Sequence, residues 1–174
     1  IVANDTDSTM LDLSMCDVDM FDGDIVTEAG YKLVQDCDDY INTEFDAWYK
    51  RVTGTHDNRL NFKREKICDG VIYLKKANAN VEAKKNYVLH ILDNEGVKHP
   101  KFKYTGVKFA RSVIPAKLKE AGRNIVEHMI LTRDRISTDE MVVQLFEDYK
   151  AMPQNLKPVF NRIVNEDLTD ILKD

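Results

Sequence analysis

The chain has 174 residues, 43% of them apolar and 32% charged, enough for one or two compact domains. No run approaches the roughly eighteen apolar residues of a membrane span, which excludes a helical membrane protein. The net charge of −5 is unevenly spread: residues 1–50 carry thirteen acids and two bases, 51–120 seven acids and sixteen bases, and 121–174 ten acids and seven bases. An acidic end joined to a basic middle points to a divalent metal at one place and phosphate at another, with a mixed solvated surface as the alternative. Three cysteines, Cys16, Cys37 and Cys68, never in C-x-x-C spacing, argue against a disulfide framework or a zinc knuckle. They fit a reducing compartment, read as small buried or half-buried hydrophobes.

Ile1-Val2-Ala3-Asn4-Asp5 offers no initiator Met, basic n-region or long apolar stretch, so it is no signal peptide and the chain reads as trimmed or incomplete. Strand-like runs Ile1 to Asn4 and Thr9 to Leu13 flank the turn-favouring Asp5-Thr6-Asp7-Ser8, which predicts a β-hairpin with two aspartates at its tip. Asp17, Asp19, Asp22, Asp24 and Glu28 superficially resemble a calcium loop. Phe21 at its fifth position and Gly23 one place late break that pattern, leaving a polar connection capped by Asp24 or Thr27.

From Thr27 to Thr53 apolar residues keep three- and four-residue spacing, with Gly54 just beyond, so one long helix is expected with Asp36, Asp38, Asp39 and Asp46 on its outer face. Two β-type runs follow, Lys63 to Leu74 and Tyr87 to Leu92, then the turn signal Asp93-Asn94-Glu95-Gly96 and a returning run Lys98 to Tyr104: a basic antiparallel meander. Pro115 fits the first turn of a helix reaching about Leu131. Ser137-Thr138-Asp139-Glu140 has capping-box spacing before a helix limited by Pro153, and Asn155 to Asp174 holds a further amphipathic piece. His56, His90, His99 and His128 are scattered and read as surface or strand packing.

Asp5-Thr6-Asp7 is the most informative feature, because carboxylates at a hairpin tip can share Mg²⁺, which favours a few carboxylates plus substrate phosphates. Taken alone, so common a D-x-D reads instead as ordinary turn residues satisfying their own backbone. Asn4-Asp5-Thr6-Asp7-Ser8 resembles motif C of family B DNA polymerases, the D-T-D-S turn of the palm, and Ala83-Lys84-Lys85-Asn86-Tyr87 resembles that family's K-K-x-Y element. Arg64 to Leu74 resembles the strand leading into that element, and Asp93 to Val97 the turn that follows in phage members. Lys103-Tyr104-Thr105-Gly106-Val107, Arg111-Ser112 and Pro115 resemble the K-x-x-G segment leading from palm into thumb. The resemblance runs in order through roughly residues 1 to 120. Asn86 stands where Arg is usual, Asn4 where Gly is usual, and Lys75 to Ala83 reads as an inserted loop.

The resemblance implies an α+β fold: a palm-type antiparallel sheet with the catalytic hairpin and the long helix over residues 1–110, followed by the start of a helical thumb over 111–174. It implies a phage-like DNA-directed DNA polymerase, with Asp7 as principal catalytic metal ligand, Asp5 as a more peripheral carboxylate and Thr6 beside the nucleotide. Two Mg²⁺ ions about 4 Å apart would activate the primer 3′-hydroxyl and stabilise the leaving pyrophosphate. Lys84, Lys85, Tyr87, Arg111 and Ser112 would grip DNA. The implied partners are primer-template DNA, dNTP, a processivity clamp, and an N-terminal exonuclease, fingers and palm part carrying a further Asp, in the cytoplasm of a host cell and with no membrane. Holding half a metal site, the chain is expected to be inactive alone. The competing readings are a non-catalytic nucleic-acid-binding module and a soluble α+β interaction domain.

Overall fold

The computed structural model describes residues 3–4, 8–75, 82–110 and 114–153. Among these described residues the chain is mixed α+β with three antiparallel sheets, two of two strands and one of three in the order β5-β6-β7. The chain divides into two compact units, Ile1–Ile67 with Leu92–Lys98, and Cys68–Ile91 with His99–Asp174.

In the first unit, β1 (Ala3–Asn4) pairs with β2 (Thr9–Met10) through Ala3 with Met10 and Asn4 with Thr9. The strand pairing expected of the hairpin is therefore present among the described residues, while its tip, Asp5 to Asp7, lies outside them. The stretch before the long helix is more ordered than a polar connection. β3 (Phe21–Asp22) and β4 (Ile25–Val26) form a second hairpin that carries Phe21 and Val26 into an apolar cluster with Tyr31, Val34, Ile67 and Leu92.

Helix α1 spans Glu28–Thr53, almost the predicted range, because both stop signals are local. The Thr27 hydroxyl accepts from the Gly30 N–H at 2.9 Å and donates to the Asp19 carbonyl at 2.7 Å, so Thr27 rather than Asp24 is the cap. At the other end Gly54, at φ 69°, closes the helix with its N–H on the Lys50 carbonyl. The acidic face is more than a solvated surface: the Asp38 carboxylate accepts from the Arg64 backbone N–H at 3.2 Å. Beside it the Asn42 amide makes a reciprocal pair with Phe62, donating to its carbonyl at 2.9 Å and accepting from its N–H at 2.7 Å. The segment returning from α1 is thereby tied along the helix.

Strand β5 runs Lys66–Lys75, β6 Glu82–Asn94 and β7 Val97–Thr105. β6 is about twice as long as its apolar run suggested, since ladder pairing continues through polar residues. The β6–β7 turn follows the signal read in the sequence: Glu95 and Gly96 both take positive φ, 52° and 90°, as a tight two-residue hairpin requires.

In the second unit, a turn of 3-10 helix at Lys108–Ala110 precedes α2 (Ala116–Thr132), which Pro115 starts as expected. Ile130 and Val126 of α2 pack with Val88, Val107, Ile72, Leu74, Phe102, Tyr104 and Phe109 in the second apolar cluster. Helix α3 spans Arg135–Ala151, and its start corrects the capping-box reading. Asp134 is the cap, accepting from the N–H groups of Ile136 and Ser137. Thr138 is inside the helix, buried, its hydroxyl on the Asp134 carbonyl at 2.6 Å. A carboxylate at the helix start interacts with the dipole more strongly than a hydroxyl, which favours the earlier start. Cys37 and Cys68 are half-buried and in no disulfide, as read, whereas Cys16 is exposed. Among the described residues no helix is long and apolar enough to cross a membrane.

Candidate nucleic-acid interface

Two of the sequence motifs meet within the second unit. Valines seat both: Val88, two positions after Asn86, and Val107, directly after Gly106, are buried in the same cluster with Ile130. The core thus fixes the end of the K-K-x-Y element against the end of the K-x-x-G segment.

At the contact the backbone is unusual. Lys85 sits in strand β6 with φ 64°, a left-handed conformation that costs a side-chain-bearing residue about 1–2 kcal/mol. Gly106 is also left-handed, at φ 68°, and a Cβ there would collide with the Asn86 side chain and the Lys85 carbonyl oxygen. Asn86 occupies the space that the missing Cβ leaves. With its amide nitrogen turned toward the carbonyls, it donates to Gly106 O at 3.0 Å and Lys85 O at 3.2 Å. Asn86, which from sequence looked only like a lost positive charge, bridges the two motifs.

Lys85 is exposed. Tyr87 is half-buried and makes an edge-type ring contact with Tyr73, centroids 6.1 Å apart, so part of its ring is spent on packing. Lys84 belongs to β6, but its side chain lies outside the described residues, as do Asp5, Thr6, Asp7, Arg111 and Ser112 altogether. Of the strands flanking the D-T-D string, the described residues show the pairing of Asn4 with Thr9.

Three polar constellations escaped the sequence reading. In the first unit Asp93 is fully buried and accepts from the Arg64 guanidinium, from Tyr31 Oη at 2.9 Å and from Gly96 N–H at 2.9 Å. Burial works to raise its carboxyl pKa. The hydrogen bonds from Arg64, Gly96 and Tyr31, with the Arg64 charge, outweigh it and hold Asp93 below the ordinary carboxylate range. The same burial and the Asp93 carboxylate push the Tyr31 phenol upward. Arg64 and Lys98 also lie over the Tyr31 ring, at 5.9 and 4.9 Å from its centroid.

In the second unit His90 Nδ1 is 2.7 Å from Asp69 Oδ1, and the imidazole stacks on Phe102 at 4.5 Å between centroids. The ring is buried, which bears out the packing role expected of it. Also in this unit the Tyr104 hydroxyl donates to Glu127, with Arg123 5.4 Å above the ring. Burial, then the bond to Glu127 and its charge, raise the Tyr104 phenol far above its usual value. Positional spacing signals none of the hydrogen bonds Tyr31–Asp93, His90–Asp69 and Tyr104–Glu127, because they join residues 62, 21 and 23 positions apart.

Chemically, the described part of the site sets the exposed Lys85 side chain beside an amide bonded to backbone carbonyls. An exposed ammonium can meet a phosphate, while the one amide beside it is committed to backbone carbonyls. Comparison with protein-family models, with curated proteins and with solved structures gave no match in any of the three.

Proposed function

We propose that the chain is the C-terminal palm and early thumb part of a family B DNA-directed DNA polymerase. In this reading it supplies metal-binding aspartates and a primer-template grip to nucleotidyl transfer from dNTPs to a primer 3′-hydroxyl. The observation that carries the reading is the contact of Lys85 and Asn86 with Gly106, since the element to which the resemblance assigns the DNA grip and the segment it assigns to the passage from palm into thumb are neighbours in space. The order of elements agrees with it: a pair of short strands on either side of the D-T-D string, a long helix, an antiparallel meander and then helices.

Asp7 and Asp5 would hold Mg²⁺ jointly with the dNTP phosphates and a further carboxylate from another part of the polymerase. Lys84 and Lys85 would neutralise backbone phosphates, Tyr87 would stand beside the primer end, and Arg111 with Ser112 would engage phosphate further along the duplex. Such contacts position DNA without reading its sequence.

The test is templated primer extension by the longest polypeptide that carries this chain, with Mg²⁺, comparing wild type with Asp7→Asn. Extension by wild type that falls to background in the variant, with duplex binding retained, supports the reading. Duplex binding with no extension, indifferent to Asp7→Asn, overturns it in favour of the non-catalytic binding module. Absence of DNA affinity even at low salt would leave an α+β interaction domain.

A further inference from the structure

We infer that Asn86 is a positioning residue for the DNA grip. Its amide, donating to the carbonyls of Gly106 and Lys85, holds the Lys85 backbone in the left-handed region and thereby sets where the Lys85 ammonium meets a phosphate of duplex DNA. The inference rests on the functional reading above and deepens it.

Three features of the contact carry it. A lysine inside a strand has no intrinsic reason to adopt φ 64°, so the conformation persists because its surroundings impose it. The imposing group is on the page: the Asn86 amide is bonded to Lys85's own carbonyl and to the carbonyl of Gly106, where a side chain would occupy the same space. Side chains alternate between the two faces of a strand, so release of Lys85 into ordinary extended φ would swing its ammonium away from its present direction. An amide spent on two backbone carbonyls also cannot form the paired bonds with adenine by which asparagine reads a base. The element is therefore a sequence-independent phosphate contact, its geometry fixed from within the protein.

The experiment measures binding of the full chain to a labelled primer-template duplex by fluorescence anisotropy, between about 50 and 200 mM salt. Lys85→Ala is expected to reduce the slope of log affinity against log salt by about 0.9, the value of one lost phosphate contact. Asn86→Ala, which alters no charge, is expected to reduce it by a similar amount, and the double variant by no more than either alone. Two duplexes of different sequence should give the same slopes. If Asn86→Ala does not fold, as judged by circular dichroism, Asn86→Val takes its place, its β-branched side chain suiting a strand. A purely structural role would lower the melting temperature and leave the slope and its coupling to Lys85 unchanged. Wild-type binding with a full slope in the Asn86 variant, or with additive losses, overturns the inference and spares the functional reading. A wild-type chain without salt-dependent binding overturns both.

Discussion

Tyr31 of helix α1 and Asp93 near the end of strand β6 stand 62 positions apart, and the tyrosine hydroxyl donates to the aspartate carboxylate at 2.9 Å. Arg64 and the Gly96 N–H complete the shell around that carboxylate, so one buried group ties the long helix, the segment entering β5 and the β6–β7 turn.

Removal of one partner from such a group leaves a buried, uncompensated charge. Asp93→Ala is expected to cost about 3 kcal/mol in urea unfolding, at the low end for a buried pair because Arg64 keeps 22% of its side chain exposed. The pH dependence has a fixed sign. The folded carboxyl titrates below its unfolded value, so its contribution is complete above about pH 5 and is lost as the pH falls through the unfolded and then the folded pKa. Between about pH 5 and 2.5 the wild-type urea midpoint should therefore fall further than that of Asp93→Asn. Equal falls would show that Asp93 is not the linked group.

Gly30 lies in the first turns of α1, where alanine ordinarily adds about 1 kcal/mol of helix stability. Here a Cβ would stand 2.6 Å from the Met20 carbonyl oxygen and 3.1 Å from the Met20 Cα. Gly30→Ala is accordingly expected to destabilise by about 1–3 kcal/mol, read as a lower thermal midpoint by circular dichroism. A raised midpoint would mean that the chain before β3 does not pass so close to the helix.

The chain has seven tyrosines, and Tyr104 should be among the last to ionise. Burial is the main cause and the Glu127 carboxylate beside its hydroxyl adds to it, while Arg123 opposes both. In an absorbance titration of the folded protein at about pH 11, exposed phenols are ionised and Tyr104 remains neutral. Tyr104→Phe should leave the early-titrating amplitude unchanged, and Glu127→Gln should bring one late phenol down. Loss of early amplitude in Tyr104→Phe would place its hydroxyl in water.

Local chemistry alone determined several features. Thr27 and Gly54 bound the long helix because a cap needs only the residues within a turn of it, and Glu95-Gly96 bends β6 into β7 because only that dipeptide's own φ values are required. Pro115 starts α2 for the same reason. The D-T-D and K-K-x-Y strings were likewise readable in order, as sequence patterns are. Tertiary structure decided what distance in sequence hides: that Asp134 rather than Ser137 caps α3, that Phe21 and Val26 form a hairpin feeding the core, and that Asp93 gathers Arg64 and Tyr31. Above all it decided the role of Asn86. A missing charge in sequence becomes a bond to Gly106 only once Val88 and Val107 are buried together, because packing of apolar neighbours, rather than any pattern in the polar residues, sets which amide reaches which carbonyl.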